Sequence, residues 1–184
     1  IKLTTITVLI SLTSILSFGQ IQIDEFYDNQ EEYLIYSVVE ELDSLNQEEI
    51  KNKVKNWAGT KFNNMNEVLV SETDNQLVFR YITKSFYTTI MGSKTIQSWY
   101  IRMVVQIKDN KMKISMYDDG NSYWAGSKGV APTKAGSWKF DVFFKKDGSS
   151  RKSRTEGLKD LRTSCISTTN DLIASFKEVD NDDW

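Results

Sequence analysis

Chemistry in this chain would have to come from a narrow set of side chains. The 184 residues include no His and one Cys. Without His there is no Ser-His-Asp or Cys-His nucleophile, no imidazole-ligated zinc and no histidine pH switch. One Cys forms neither an internal disulfide framework nor a thiolate zinc cluster. Cys165 shares an apolar helical stripe with Leu158, Leu161 and Leu172, so it reads as a buried small hydrophobe rather than a reactive thiol. Ser149 and Lys152 fit a Ser-x-x-Lys nucleophile pattern, but its companion motifs are missing and the segment reads as a basic linker. Asp118-Asp119-Gly120-Asn121 lacks the alternating oxygen ligands and closing Glu of a calcium loop, and turn chemistry accounts for it. The stretch 126–136 has no Gly-Lys-Ser/Thr run and is not a phosphate loop. Among the acidic residues no spacing singles out a pair for glycoside hydrolysis. The expectation is a non-enzyme without cofactor or metal.

Binding chemistry is better represented. Residues 119–150 form a Gly-, Ser- and Lys-rich insert that carries Tyr123, Trp124 and Trp138. Those rings could stack on sugars or a protein partner, since Trp and Tyr are favoured at binding hot spots, or they could anchor the loop to the body. A second candidate surface is one face of a sheet, with Tyr100, Arg102, Val104 and Tyr117 beside Val78, Arg80, Ile82, Lys108, Lys111 and Lys113. Basic and aromatic residues on a curved sheet could meet a polyanion. The formal charge of -2 argues against a dedicated nucleic-acid binder, and a solvated face with Lys guarding against edge pairing is the plainer reading. That face is still too apolar for open water, so the second helix, a ligand or a partner should cover part of it.

These residues need elements to position them. Tyr33 to Leu42 is rich in β-branched and aromatic residues and reads as a strand. Asn46 followed by Glu49 is a capping box that opens an amphipathic helix carrying Ile50, Val54, Trp57 and Ala58, which Asn63-Asn64 ends. Four strands follow, at 68–72, 76–83, 97–108 and 111–118, with Asp74-Asn75 and Asp109-Asn110 as hairpin turns. A two-residue turn at 109–110 pairs Ile107 with Met112, Val105 with Ile114 and Met103 with Met116, so turn length and apolar alternation agree. The same logic at 74–75 sets Val70 opposite Phe79 and Val68 opposite Tyr81. Ser153-Arg154-Thr155-Glu156 is a capping-box candidate for a helix over 153–179, weakened in its middle by Gly157 and Ser164 to Asn170. Residues 180–184 are an acidic tail. The order is an α+β fold, β-α-β-β-β-β with a C-terminal helix.

Targeting and length set the frame. Lys2 precedes an uncharged apolar run from Leu3 to Phe18, and Ser17 and Gly19 are small residues suited to cleavage before Gln20. Residues 1–19 therefore read as a secretory signal peptide, and 20–184 as one exported domain, periplasmic or secreted. The run is short for a membrane span, and no second apolar stretch of membrane length follows. No Cys follows the run, which argues against a lipid anchor.

From Tyr36-Ser37-Val38-Val39-Glu40 through Ile50 to Lys55-Asn56-Trp57, Phe62, Trp99 to Asp109 and Lys111-Met112-Lys113-Ile114, the chain resembles the bacterial family called domain of unknown function 4468. The resemblance covers 33–118. It implies a TBP-like core in exported proteins, chiefly of Bacteroidota, with no known activity and no catalytic residues to carry over. The expectation is a non-catalytic binding or interaction module whose partner is an envelope protein or a small molecule, not nucleic acid. The alternative is a carrier that holds a small apolar ligand between the sheet and the C-terminal helix.

Overall fold

The computed structural model describes residues 25, 33–88, 94–124, 143–152 and 154–177. Its elements are β1 (Leu34–Glu41), α1 (Gln47–Phe62), a single turn α2 (Met65–Val68), β2 (Leu69–Thr73), β3 (Gln76–Thr88), β4 (Lys94–Lys108), β5 (Lys111–Trp124) and α3 (Thr155–Ser175). The five strands form one sheet in the order β1-β5-β4-β3-β2, and every neighbouring pair is antiparallel. Strands β2 to β5 are a meander of hairpins, and β1 returns to the far edge beside β5. Joining β1 to β2 therefore takes the chain from one edge to the other, and α1 makes that crossing over one face.

The first helix starts where its sequence dictates. The Asn46 side chain accepts from the Glu49 amide at 3.0 Å, and the Glu49 carboxylate accepts from the Asn46 amide at 2.8 Å. Two orphan donors are satisfied reciprocally, a pairing whose loss usually costs about 1 kcal/mol. Both hairpin turns hold this end of the helix. The Gln47 amide donates to the Asp109 carboxylate at 2.9 Å, and the Gln47 side chain donates to the Asp74 carbonyl at 2.8 Å. At the other end Asn63 takes a left-handed φ of 57°, which Asn tolerates, and closes the helix. Along its flank Lys51 and Lys55 both pair with Glu72 of β2, which holds that carboxyl below its usual range.

Helix α3 lies over the same face. Ile50, Val54, Trp57 and Ala58 of α1 share one core with Leu158, Leu161, Cys165 and Leu172 of α3. The sheet contributes Leu77, Phe79, Tyr81, Trp99, Ile101, Met103, Val105, Ile107, Met112, Ile114 and Met116. The run from Ser164 to Asn170 does not interrupt α3. Thr168 and Thr169 are buried within the helix, and the Ser164 hydroxyl bonds that of Thr83 on β3, so polar side chains are used inside the interface.

The β4–β5 register matches expectation: Ile107 faces Met112, Val105 faces Ile114 and Met103 faces Met116. The β2–β3 hairpin departs from it. A bulge between Leu69 and Ser71 sets Leu69, not Val70, opposite Phe79, and Val68 belongs to α2 instead of pairing with Tyr81. The extra residue is Val70, 55% exposed, while Leu69 turns toward the core. Strands β3 and β4 extend past the expected ends to Thr88 and Lys94, pairing through Phe86 and Ile96. Strand β5 likewise carries Asp118 to Asn121 as strand, where turn chemistry is the expectation: Asp118 pairs with Ile101 and Ser122 with Trp99, and Asp119 to Asn121 fall in the irregularity between those two pairs. Arg154 occupies the cap position of α3 with no side-chain cap bond of its own, and Ser153, on which the expected capping box rests, lies outside the described residues.

The candidate binding face

The strands' alternation leaves a second face that neither helix covers. On β4 the residues pointing away from the core are Tyr100, Arg102, Val104, Gln106 and Lys108, between the buried Trp99, Ile101, Met103, Val105 and Ile107. Cross-strand partners share a face, so the register places Ile82 beside Tyr100, Arg80 beside Arg102 and Val78 beside Val104 from β3. From β5 it places Tyr117 beside Arg102, Ser115 beside Val104, Lys113 beside Gln106 and Lys111 beside Lys108. Four of the candidate residues, Tyr100, Arg102, Val104 and Tyr117, therefore form one patch at the centre of the sheet. Tyr123 and Trp124 lie further along β5, pairing with Ser98 and Gln97, and Trp138 lies outside the described residues.

Two arginines directly opposite one another repel, and the patch answers that charge in two ways. The Arg80 guanidinium lies 4.4 Å from the centre of the Tyr100 ring, and Arg102 lies 5.0 Å from that of Tyr117. Each such contact contributes about 0.5–1 kcal/mol where exposed. Arg80 also forms an ion pair with Asp119 through its Nε. The result is two cation-on-ring stacks, bordered by Val104 and by Ile82, which is 52% exposed. Rigid rings with a polar tip and a charged edge suit recognition of a partner that is partly apolar and partly anionic. Toward β1 the face turns polar, where the Ser37 and Ser115 hydroxyls meet at 3.0 Å.

At the hairpin end of this face lies a groove of about 350 Å³, lined in part by Val39, Gln76, Gln106, Lys108, Lys111 and Lys113. The lysines were legible as part of the face, but the amides and the concavity were not. A second cleft, of about 390 Å³, lies between α1 and α3 over Lys53, Asn56 and Asp171.

The other sequence candidates are accounted for. Ser149 is buried and its hydroxyl donates to the Asp147 carboxylate at 2.6 Å, which lowers the Asp147 pKa; this is turn chemistry, not a nucleophile. Phe143 and Phe144 anchor their end of the insert in the core, with the Phe143 ring 5.2 Å from that of Trp99. Cys165 is a free buried thiol whose pKa burial pushes up to about 12. Leu158, Leu161, Cys165 and Leu172 of α3 are almost wholly excluded from solvent against the sheet, a packing that completes a core and lends no support to a ligand space there. Among the described residues no cluster of three or more His, Cys, Asp or Glu could hold a metal. No helix among them is long and apolar enough to cross a membrane.

A five-stranded antiparallel sheet with both long helices on one face and the other face open is a TBP-like α+β fold. Two solved structures share it. A DUF4468 family protein from Bacteroides ovatus superposes with a TM-score of 0.59 at 10% identity, over 87% of this chain and 95% of that one. A TBP-like protein from Parabacteroides distasonis superposes with a TM-score of 0.57 at 14% identity, over 84% and 99%. The resemblance read from the sequence thus holds in the fold, and it reaches well beyond residues 33–118. No family model and no curated protein matches the chain.

Proposed function

We propose that this protein is an exported, non-catalytic binding module that meets a partner of the cell envelope through the open face of its sheet. The observation that carries the reading is the central patch of Tyr100, Arg102, Val104 and Tyr117, which no described element covers. Export rests on the charge, apolar run and small residues of 1–19. The absence of His, the buried Cys165 and the engaged Ser149 support a role in binding instead of catalysis. The two solved structures support the fold alone.

Native mass spectrometry of the full chain purified from its own host's envelope tests this. The expected result is a bound species that survives gentle purification and is lost from an Arg102→Ser, Tyr117→Ser double variant that still folds. A species held equally by both proteins would overturn the assignment to this face. Recovery of the chain in the cytosol, or with nothing bound, would overturn the reading itself.

A further inference from the structure

The lysines at the hairpin end of the open face call for their own account. Lysine is placed on edge strands to block pairing with other sheets. Here the edges are β1 and β2, and Lys108, Lys111 and Lys113 stand on the interior strands β4 and β5. Lys108 and Lys111 are direct cross-strand partners, an arrangement of like charges that works against the sheet. Lys113 follows on the same face, about 7 Å from Lys111 at the usual strand rise. None of the three forms an ion pair among the described residues. Asp74, Asp109 and Glu41 belong to the adjoining turns and strand, and none of them forms an ion pair with these lysines. Asp109 accepts from the Gln47 amide, and Glu41, the register partner of Lys111 on β1, makes no ion pair with it.

We infer that this groove is a binding site for a tetrahedral oxyanion, the phosphate or sulfate ester of a small polar molecule. Three flexible ammonium groups supply point charges that can close around such a group from several sides. The Gln76 and Gln106 side chains supply amide donors and acceptors beside them, suited to hydroxyls on the rest of the ligand, and Val39 gives an apolar wall. No carboxylate lines the groove. Its volume of about 350 Å³ is at the small end of ligand sites, the size of a sugar ester. The arginines of the central patch are already stacked on rings and Arg80 is ion-paired with Asp119, so the two ends of the face carry different chemistry. The inference goes beyond the partner surface proposed above and does not depend on it.

The test uses the full chain and glucose 6-phosphate, with glucose as the uncharged control, followed by amide shifts in NMR. Saturable shifts confined to 106–113 and the neighbouring Gln76 and Val39 are expected with the ester, and none with glucose. A Lys111→Gln, Lys113→Gln double variant should bind about tenfold more weakly, and raised salt should weaken the wild type similarly. Its thermal midpoint should hold or rise, because like-charge repulsion is relieved, which a purely structural role for the lysines would not give. Lys145→Gln, Lys146→Gln, on the exposed turn before α3, should leave binding unchanged. Co-sedimentation with phosphatidylglycerol and phosphatidylcholine vesicles separates two sources of the same chemistry. Lysine-dependent binding to the anionic vesicles assigns a lipid headgroup, and binding to the soluble ester alone assigns a free ligand. No saturable response in either arm, or equal loss in the Lys145 and Lys146 control, would overturn the site. An envelope partner lost only with Arg102 and Tyr117 would leave the earlier reading standing.

Discussion

The two faces of the sheet are built from the same strands, one residue apart, and they obey different rules. On the covered face, position after position of β3, β4 and β5 is apolar and excluded from water: Leu77, Phe79, Tyr81, Ile101, Met103, Val105, Ile114 and Met116. On the open face the intervening positions mix ring, guanidinium, ammonium and amide, and their aliphatic members range from the buried Val78 through the half-buried Val104 to the exposed Ile82. Burial sets the first list, since each large apolar side chain removed from water contributes about 1.5–3 kcal/mol. Nothing in the fold requires the second list. A sheet face needing only solubility would not set Arg80 against Arg102, nor Lys108 against Lys111, on adjacent strands. The difference separates what holds the molecule together from what it presents.

The largest effect should come from the covered face. Phe79 is fully buried, lies opposite Met103 and belongs to the core shared by both helices. Phe79→Ala should destabilise by about 3–5 kcal/mol, the usual cost of a lost aromatic side chain plus the cavity it leaves. Denaturant unfolding of the variant measures it. A loss below about 1 kcal/mol would break the contrast, because that is the scale of exposed sites.

A subtler effect on the same face comes from pH. Burial raises the Cys165 thiol to about 12, and raises the hydroxyl of its neighbour Tyr81 as well. A raised folded pKa means that the neutral form is favoured in the native state. The resulting stability is fully present below the unfolded thiol pKa of about 8.5 and is lost as pH rises toward 12. The urea midpoint should therefore fall between about pH 8.5 and 11, and less steeply for Cys165→Ala. In the native protein at neutral pH, the thiol should resist alkylation until the chain unfolds. Equal pH slopes for the two proteins would show that Cys165 contributes nothing to the alkaline loss.

The contrast also explains how much could be read from residues alone. The covered face was legible because burial imposes a period: alternation in β4 and β5 and the Asp109-Asn110 turn fixed a register that the structure repeats. The capping box at Asn46 and Glu49 was legible because it is a local contact of two side chains with two amides. The β2 bulge was not, since Val70 is the same kind of residue as its neighbours and only the docking of Leu69 on the core selects which one is extra. Asp118 to Asn121 look like a turn, but the ladder with β4 holds on both sides of them, at Ile101 with Asp118 and Trp99 with Ser122, and they become a local irregularity within β5. The middle of α3 looked weak because Thr168 and Thr169 favour other structures when exposed, whereas here they are buried among helix neighbours. On the open face the residue set was legible from alternation. Its geometry was not: the Arg80 stack on Tyr100 is a diagonal contact between strands, and the Asp119 ion pair reaches across β4.

The smallest effect on stability, and the sharpest on function, should come from Arg102. Replacing it with Ala removes the contact with Tyr117, worth about 0.5–1 kcal/mol, and also removes the repulsion from Arg80, worth a similar amount with the opposite sign. The two terms oppose one another, so the unfolding free energy should change by no more than about 1 kcal/mol, well below the effect of Phe79→Ala. Reversal is the more telling variant. Arg102→Glu places an acid beside Arg80 and should hold or raise stability, while it inverts the charge at the centre of the patch and should abolish retention of the envelope partner. If Arg102→Ala instead loses stability on the scale of Phe79→Ala, the open face is part of the core and the division between the two faces fails. If Arg102→Glu leaves partner retention intact, the arginines serve each other and the tyrosines alone, and recognition lies elsewhere on the sheet.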